Sequence, residues 1–200
     1  MKKIAHFILV VTLLSSCSND TGEVKEEIDN SITIEGVKLP GALSQGDTEL
    51  FLNGGGVRKK LFVKVYVGGL YLPEKSHNPE DIIADDVPSI IRMEAISIFF
   101  TSKRMADEVR RKFVESTKGN MAPLQSRVDI LCEILAASSI KKGDRCDIWY
   151  TPGEGIRLFK NGEDLKVLLS GLDFKQALFS NLLSDTPADE SLKQGLLGLH

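Results

Sequence analysis

Three adjacent glycines, Gly54 to Gly56, stand inside a stretch that otherwise reads as strand, LNGGGVRKKLFVKVYVGGLYLP from Leu52 to Pro73. Glycine weakens a strand and loses more conformational freedom on folding than any other residue. A run of three must therefore serve the backbone: a bulge, a hairpin, or a close approach to something that a side chain would obstruct. A lone arginine, Arg58, follows two residues later. The flanking segments, Glu49 to Asn53 and Lys60 to Leu72, are rich in β-branched and aromatic residues and read as two strands.

The rest of the chain falls into blocks around this stretch. Ile32 to Leu39 alternates in part and ends at Pro40-Gly41, which predicts a first strand or hairpin. Pro79 to Ala84 predicts a helical turn capped by Asn78, and Ser89 to Phe100 returns to strand character. In Ser102 to Ser116, Met105, Val109 and Phe113 recur at four-residue steps, and the Arg110-Arg111-Lys112 run belongs to a solvated face. Pro123 to Ala137 carries a second stripe of Leu124, Val128, Leu131 and Leu135, with Pro123 in the first turn. From Arg145 to Leu169, three strand segments are separated by Pro152-Gly153-Glu154-Gly155 and by Asn161-Gly162, which reads as a meander. Helices over Asp173 to Leu183 and Glu190 to Leu197 close the chain. Strands, helices, strands, helices, without β-α-β alternation, predict an α+β fold: an antiparallel sheet with helices on one face.

The first residues follow a different logic. Lys2 and Lys3 precede an apolar run from Ile4 to Leu14, too short to span a bilayer, and then Leu14-Ser15-Ser16-Cys17. These four residues match the bacterial lipobox pattern, which implies a signal peptide over 1-16, cleavage before Cys17 and its diacylation. Acyl chains on Cys17 would anchor the protein to a membrane of the bacterial cell envelope, facing the periplasm or exterior. Residues 17-31 are polar, acidic and free of aromatics, and read as a flexible tether. One domain then remains, 32-200, long enough to bury its own core.

Loss of residues 1-16 removes two of the 25 basic residues and none of the 28 acidic ones, so the formal charge moves from −3 to −5. That balance argues against a nucleic-acid partner. The three histidines, His6, His77 and His200, have no ligand partner at helical spacing, there is no C-x-x-C pair, and no metal or cofactor is expected. A G-x-S-x-G elbow is also missing, and GGGVRKK lacks the Lys-Ser/Thr pair of a phosphate loop. Cys132 and Cys146 read as buried small hydrophobes, with a disulfide between them left open.

The glycine-arginine run and VYVGGLYLP, supported by DVPSIIRMEAI, LQSRVDIL, KKGDRCDIWYTPGEGIRLFKNG and FKQALFSNLL, resemble the bacterial chalcone isomerase-like proteins from about Ile34 to Leu197. The resemblance implies an open-faced β-sandwich, a large curved antiparallel sheet covered by helices with a cleft between the layers. In the plant isomerases a G-x-G-x-R segment sends an arginine into that cleft, and a threonine, a tyrosine and an asparagine orient substrate and water. Gly54, Gly56 and Arg58 match the first motif; the threonine falls at Tyr66, the tyrosine near Met105 and the asparagine near Lys112.

The replacements remove hydroxyl donors that a developing enolate needs, since methionine cannot donate a hydrogen bond. Efficient isomerase activity is therefore not expected. Related non-catalytic members bind fatty acids, and Arg58 with Tyr66 resembles a carboxylate-reading pair, with Gly54, Gly56 and Met105 around it. The expected function is a membrane-anchored binder of a fatty acid or similar amphipathic anion. An isomerase or related proton-transfer enzyme, and an envelope interaction domain without ligand, are the alternatives. Binding of this kind requires the Arg58 guanidinium to sit in a sheltered hollow with no acid to neutralise it. Pairing with Asp47, Glu49 or another acid at the sheet edge, with the glycines forming only a bulge or hairpin, would remove that basis.

Overall fold

A computed structural model describes residues 30–45 and 48–199. The signal peptide, Cys17, almost all of the tether and Asp47 lie outside the described residues. Nine strands and five helices are described: β1 (Ile32–Ile34), β2 (Val37–Leu39), β3 (Ala42–Gln45), β4 (Thr48–Lys60), β5 (Val63–Leu72), α1 (Pro79–Ala84), β6 (Ser89–Ala95), α2 (Ser102–Ser116), α3 (Gln125–Ala137), β7 (Arg145–Thr151), β8 (Gly155–Lys160), β9 (Glu163–Leu169), α4 (Leu172–Leu183) and α5 (Glu190–Leu196). Strands β3 to β9 pair in sequence order into one antiparallel sheet of seven. The helices cover one face of this curled sheet, and the β1–β2 hairpin packs on the other. This is the α+β, open-faced architecture expected.

Local chemistry accounts for most element ends. Asn78 caps α1 by accepting from the Glu80 amide at 3.0 Å, and Thr101 caps α2. Asn161-Gly162 turns β8 into β9, both residues holding positive φ. Pro123 lies just ahead of α3 rather than in its first turn, because the helix begins at Gln125.

The central stretch departs from expectation. The glycines do not separate two strands; β4 runs through them from Thr48 to Lys60 and turns at Leu61 and Phe62 into β5. Gly55 pairs with Gly69 and Gly56 with Gly68, so both faces of the hairpin are locally smooth. On the helix face, a Cβ at Gly54 would strike the Gly195 carbonyl oxygen of α5, and one at Gly56 would lie 3.2 Å from the Leu192 carbonyl oxygen. On the other face a Cβ at Gly55 would come within 2.5 Å of Leu39 Cδ1 in β2. The backbone need is thus close packing of α5 and of the β1–β2 hairpin on opposite sides of one strand pair.

A bulge at Asn53 locks the same region. Its amide donates to the Ser76 and Leu196 carbonyls at 2.9 and 2.8 Å, while its Oδ1 accepts from the Ser76 amide at 2.8 Å. His77 Nδ1 lies 2.5 Å from the Leu197 carbonyl oxygen. The C-terminal helix is thereby tied to the sheet by polar contacts as well as by Leu192 and Leu196 in the core.

Cys132 and Cys146 are both buried free thiols. Burial pushes both thiols up, Cys146 to about 12, so neither is a thiolate at neutral pH.

Candidate functional site

Between the sheet and the helices lies a cavity of about 650 Å³. Sheet side chains Val65, Met93, Ile148 and Leu158 form its floor, and α2, α3 and α4 supply Met105, Leu131, Leu135 and Leu178 above. These walls are apolar because strand residues of one parity and the inner stripes of three helices converge on one space. The volume falls within the range of about 300 to 1,000 Å³ usual for small-molecule sites.

Arg58 and Tyr66 both line this cavity, along with Met105. The eight-residue interval does not run along one strand. It spans the hairpin, so that Arg58 of β4 and Tyr66 of β5 become direct cross-strand partners. The guanidinium carbon stands 5.9 Å from the centre of the Tyr66 ring, within cation–π reach. Tyr66 also packs against Phe100 at 5.2 Å between ring centres. Burial pushes the phenol up to about 12, against the opposing pull of Arg58, so Tyr66 keeps its proton and can donate.

The expectation that no acid neutralises Arg58 fails, although the hollow beside it stays open. Arg58 Nη2 donates to Glu108 Oε1 at 2.7 Å, from one turn along α2 beyond Met105. The partner is a helix residue, neither Glu49 nor another acid of the sheet edge. Glu108 is shared: Lys60 lies 3.2 Å from one of its oxygens and Arg111 2.6 Å from the other. Burial works against its charge, but the Arg111 hydrogen bond and the Arg58 and Lys60 charges prevail and hold the carboxyl down at about 2. Three cations share this carboxylate, Arg111 pairing with Glu115 as well, and the Arg58–Glu108 pair does not fill the cavity.

Two buried polar groups here have no hydrogen-bond partner among the described residues. One is Arg58 Nε; the other is the Asn181 side-chain amide of α4, both its nitrogen and its oxygen. Asn181 lines the same cavity with only 7% of its surface exposed. A buried unmatched polar group costs about 1 to 3 kcal/mol, which a polar ligand atom would recover.

Gly54 and Gly56 do not belong to the site. They sit beneath α5, and their role is helix packing rather than an approach of backbone to ligand. Lys112 lines the cavity but is occupied by the Thr186 and Pro187 carbonyls and by Glu115. Glu108 was legible in part: positions 105, 108, 109 and 112 share a helix face, so the Met105 stripe carries Glu108 with it. Asn181 had no such signal. Tyr66 is the only hydroxyl-bearing side chain lining the cavity among the described residues. Among them, too, no group of three or more His, Cys, Asp or Glu is placed to hold a metal ion.

Residues 31–198 match the family model described as chalcone isomerase-like. The chain belongs to the chalcone isomerase-like family. Among solved structures it is similar to a fatty-acid binding protein of Arabidopsis thaliana, with a TM-score of 0.67 and 15% identity, covering 84% of this chain and 95% of that one. At that identity the likeness carries the shared fold alone, and the family's layered architecture is what the two chains have in common. Comparison with curated proteins finds no match.

Proposed function

We propose that this protein, anchored to a membrane of the cell envelope through acylated Cys17, is a non-catalytic binder of a fatty acid or similar amphipathic anion. The observation that carries the binding is an apolar cavity of about 650 Å³ holding Arg58, whose buried Nε lacks a partner among the described residues. Apolar walls suit an acyl tail, while the guanidinium, the neutral Tyr66 hydroxyl and the nearby Lys60 cation suit a carboxylate head. The Arabidopsis protein's description as a fatty-acid binder supports the ligand class. The lipobox at Leu14 to Cys17 supports the anchor.

Calorimetric titration with palmitate, alongside mass spectrometry of small molecules carried by the native protein, tests the binding. The parent chain should bind, and Arg58→Leu should weaken it at least tenfold with the thermal transition monitored as a check on folding. Met105→Trp, which fills the cavity and leaves the cation in place, should weaken binding as well. Absence of any co-purified acid together with no palmitate affinity would discard the reading. For the anchor, Cys17→Ser should release the protein from membranes and abolish incorporation of labelled acyl chains.

A further inference from the structure

The most exposed large apolar side chains of the described residues belong to two neighbouring segments. Leu61 and Phe62, 90% and 101% exposed, form the tip of the β4–β5 hairpin; Ile98 and Phe99, 73% and 52% exposed, lie in the loop between β6 and α2. Leu61 and Phe99 both line the cavity, so the two tips meet at its mouth. The loop is held to the hairpin by the Ile96 amide, which donates to the Val65 carbonyl at 3.1 Å. Leu61 adopts a φ of +56°, a left-handed conformation that glycine or asparagine usually fills. Leucine is thus kept at a strained, wholly solvated turn where a polar residue would fit more easily.

Charge singles out the same surface. The segments RKKLFVK (58 to 64) and IFFTSKR (98 to 104) contain six cationic residues and no acidic ones, in a chain of formal charge −3. The facing acids are Asp107, Glu108, Glu35 and Asp189, and each is already engaged, with Lys103, with the Arg58 cluster, with Lys64 and with the Lys59 backbone amide. Among the described residues the Lys59 ammonium and the Arg104 guanidinium form no ion pair, and Arg104 lies over the Phe99 ring at 5.8 Å.

We propose that this collar is a docking surface for a lipid bilayer bearing anionic head groups, with Leu61, Phe62, Ile98 and Phe99 entering the acyl boundary and Lys59, Lys103 and Arg104 meeting the head groups. Apolar tips set in a cationic ring match the two layers that such a bilayer presents, whereas a protein groove would need no such stacking of the two. The cavity mouth would then face the membrane. The collar rests on exposed residues and holds whatever molecule the cavity takes.

The test uses the full chain with a single tryptophan added at the tip, Phe62→Trp, or on the far strand β9, Leu168→Trp. The signal of Trp149 in the parent is subtracted. Vesicles of phosphatidylcholine, alone or mixed with phosphatidylglycerol, carry brominated acyl chains. Emission of F62W should shift to the blue and be quenched, more strongly with phosphatidylglycerol, while L168W stays unquenched. A site-specific probe separates this contact from any N-terminal anchor. Lys59→Glu with Lys103→Glu should lower the phosphatidylglycerol-dependent part of the quenching about tenfold or more. Equal quenching at both positions, or none at F62W, would overturn the proposal. So would a blue shift without vesicles that grows with protein concentration, which would assign the collar to a second copy of the chain.

Discussion

Arg58 of β4 and Glu108 of α2 meet at 2.7 Å across the entrance of the cavity, joining the sheet layer to the helix layer through a shared carboxylate. The pair does two things at once. It keeps a buried guanidinium neutralised, and it occupies one edge of that guanidinium, which a ligand carboxylate would also use.

Removing the charge of Glu108 separates these effects. Glu108→Gln should destabilise the ligand-free protein by about 2 to 3 kcal/mol, because Arg58 is left buried without its counter-charge. The same change should tighten palmitate binding, since the ligand no longer competes with Glu108. Chemical denaturation and calorimetry on one sample check both signs.

Acid unfolding should report the same residue. The folded carboxyl titrates at about 2 against an ordinary 4.5, so its contribution is fully present above the higher value and is lost as pH falls from there through the lower one. Stability measured between those limits should fall with a shallower slope in Glu108→Gln than in the parent.

Gly54→Ala should cost about 3 kcal/mol or more, because the new methyl meets the Gly195 backbone of α5 and no flexible side chain can move aside. Thermal denaturation should show that loss, whereas Gly119→Ala, with open space around it but positive φ, should cost only about 1 kcal/mol.

On the far face of the sheet, Arg92 and Asp147 form a two-pronged buried pair between adjacent strands, at 2.8 Å for each contact. Asp147→Asn should lower stability by about 3 kcal/mol through an uncompensated guanidinium. Palmitate affinity of the folded fraction should be unchanged, since Arg92 faces away from the cavity.

Thiol chemistry offers a check on the core. Cys132 and Cys146 should stay unmodified by iodoacetamide at pH 8 in the folded protein and react only on denaturation, as buried thiols held above their ordinary pKa do.

The amino-acid sequence by itself determined the elements and their class. Hydrophobic period and turn chemistry are local: the Asn78 cap, the Met105 stripe of α2 and the Asn161-Gly162 turn each act within a few residues, so the meander and helices could be placed from residue order. Arg58, Tyr66 and Met105 were likewise legible, because the motif that carries them is continuous or periodic. What the glycines contact was decided only by the tertiary structure, since α5 lies more than a hundred residues along the chain and no local pattern says that its backbone must approach β4. The same holds for Glu108 as the partner of Arg58 and for Asn181 in the cavity wall. Such pairings form when separate layers pack, and burial then sets whether a charge or an amide finds a partner or is left for a ligand.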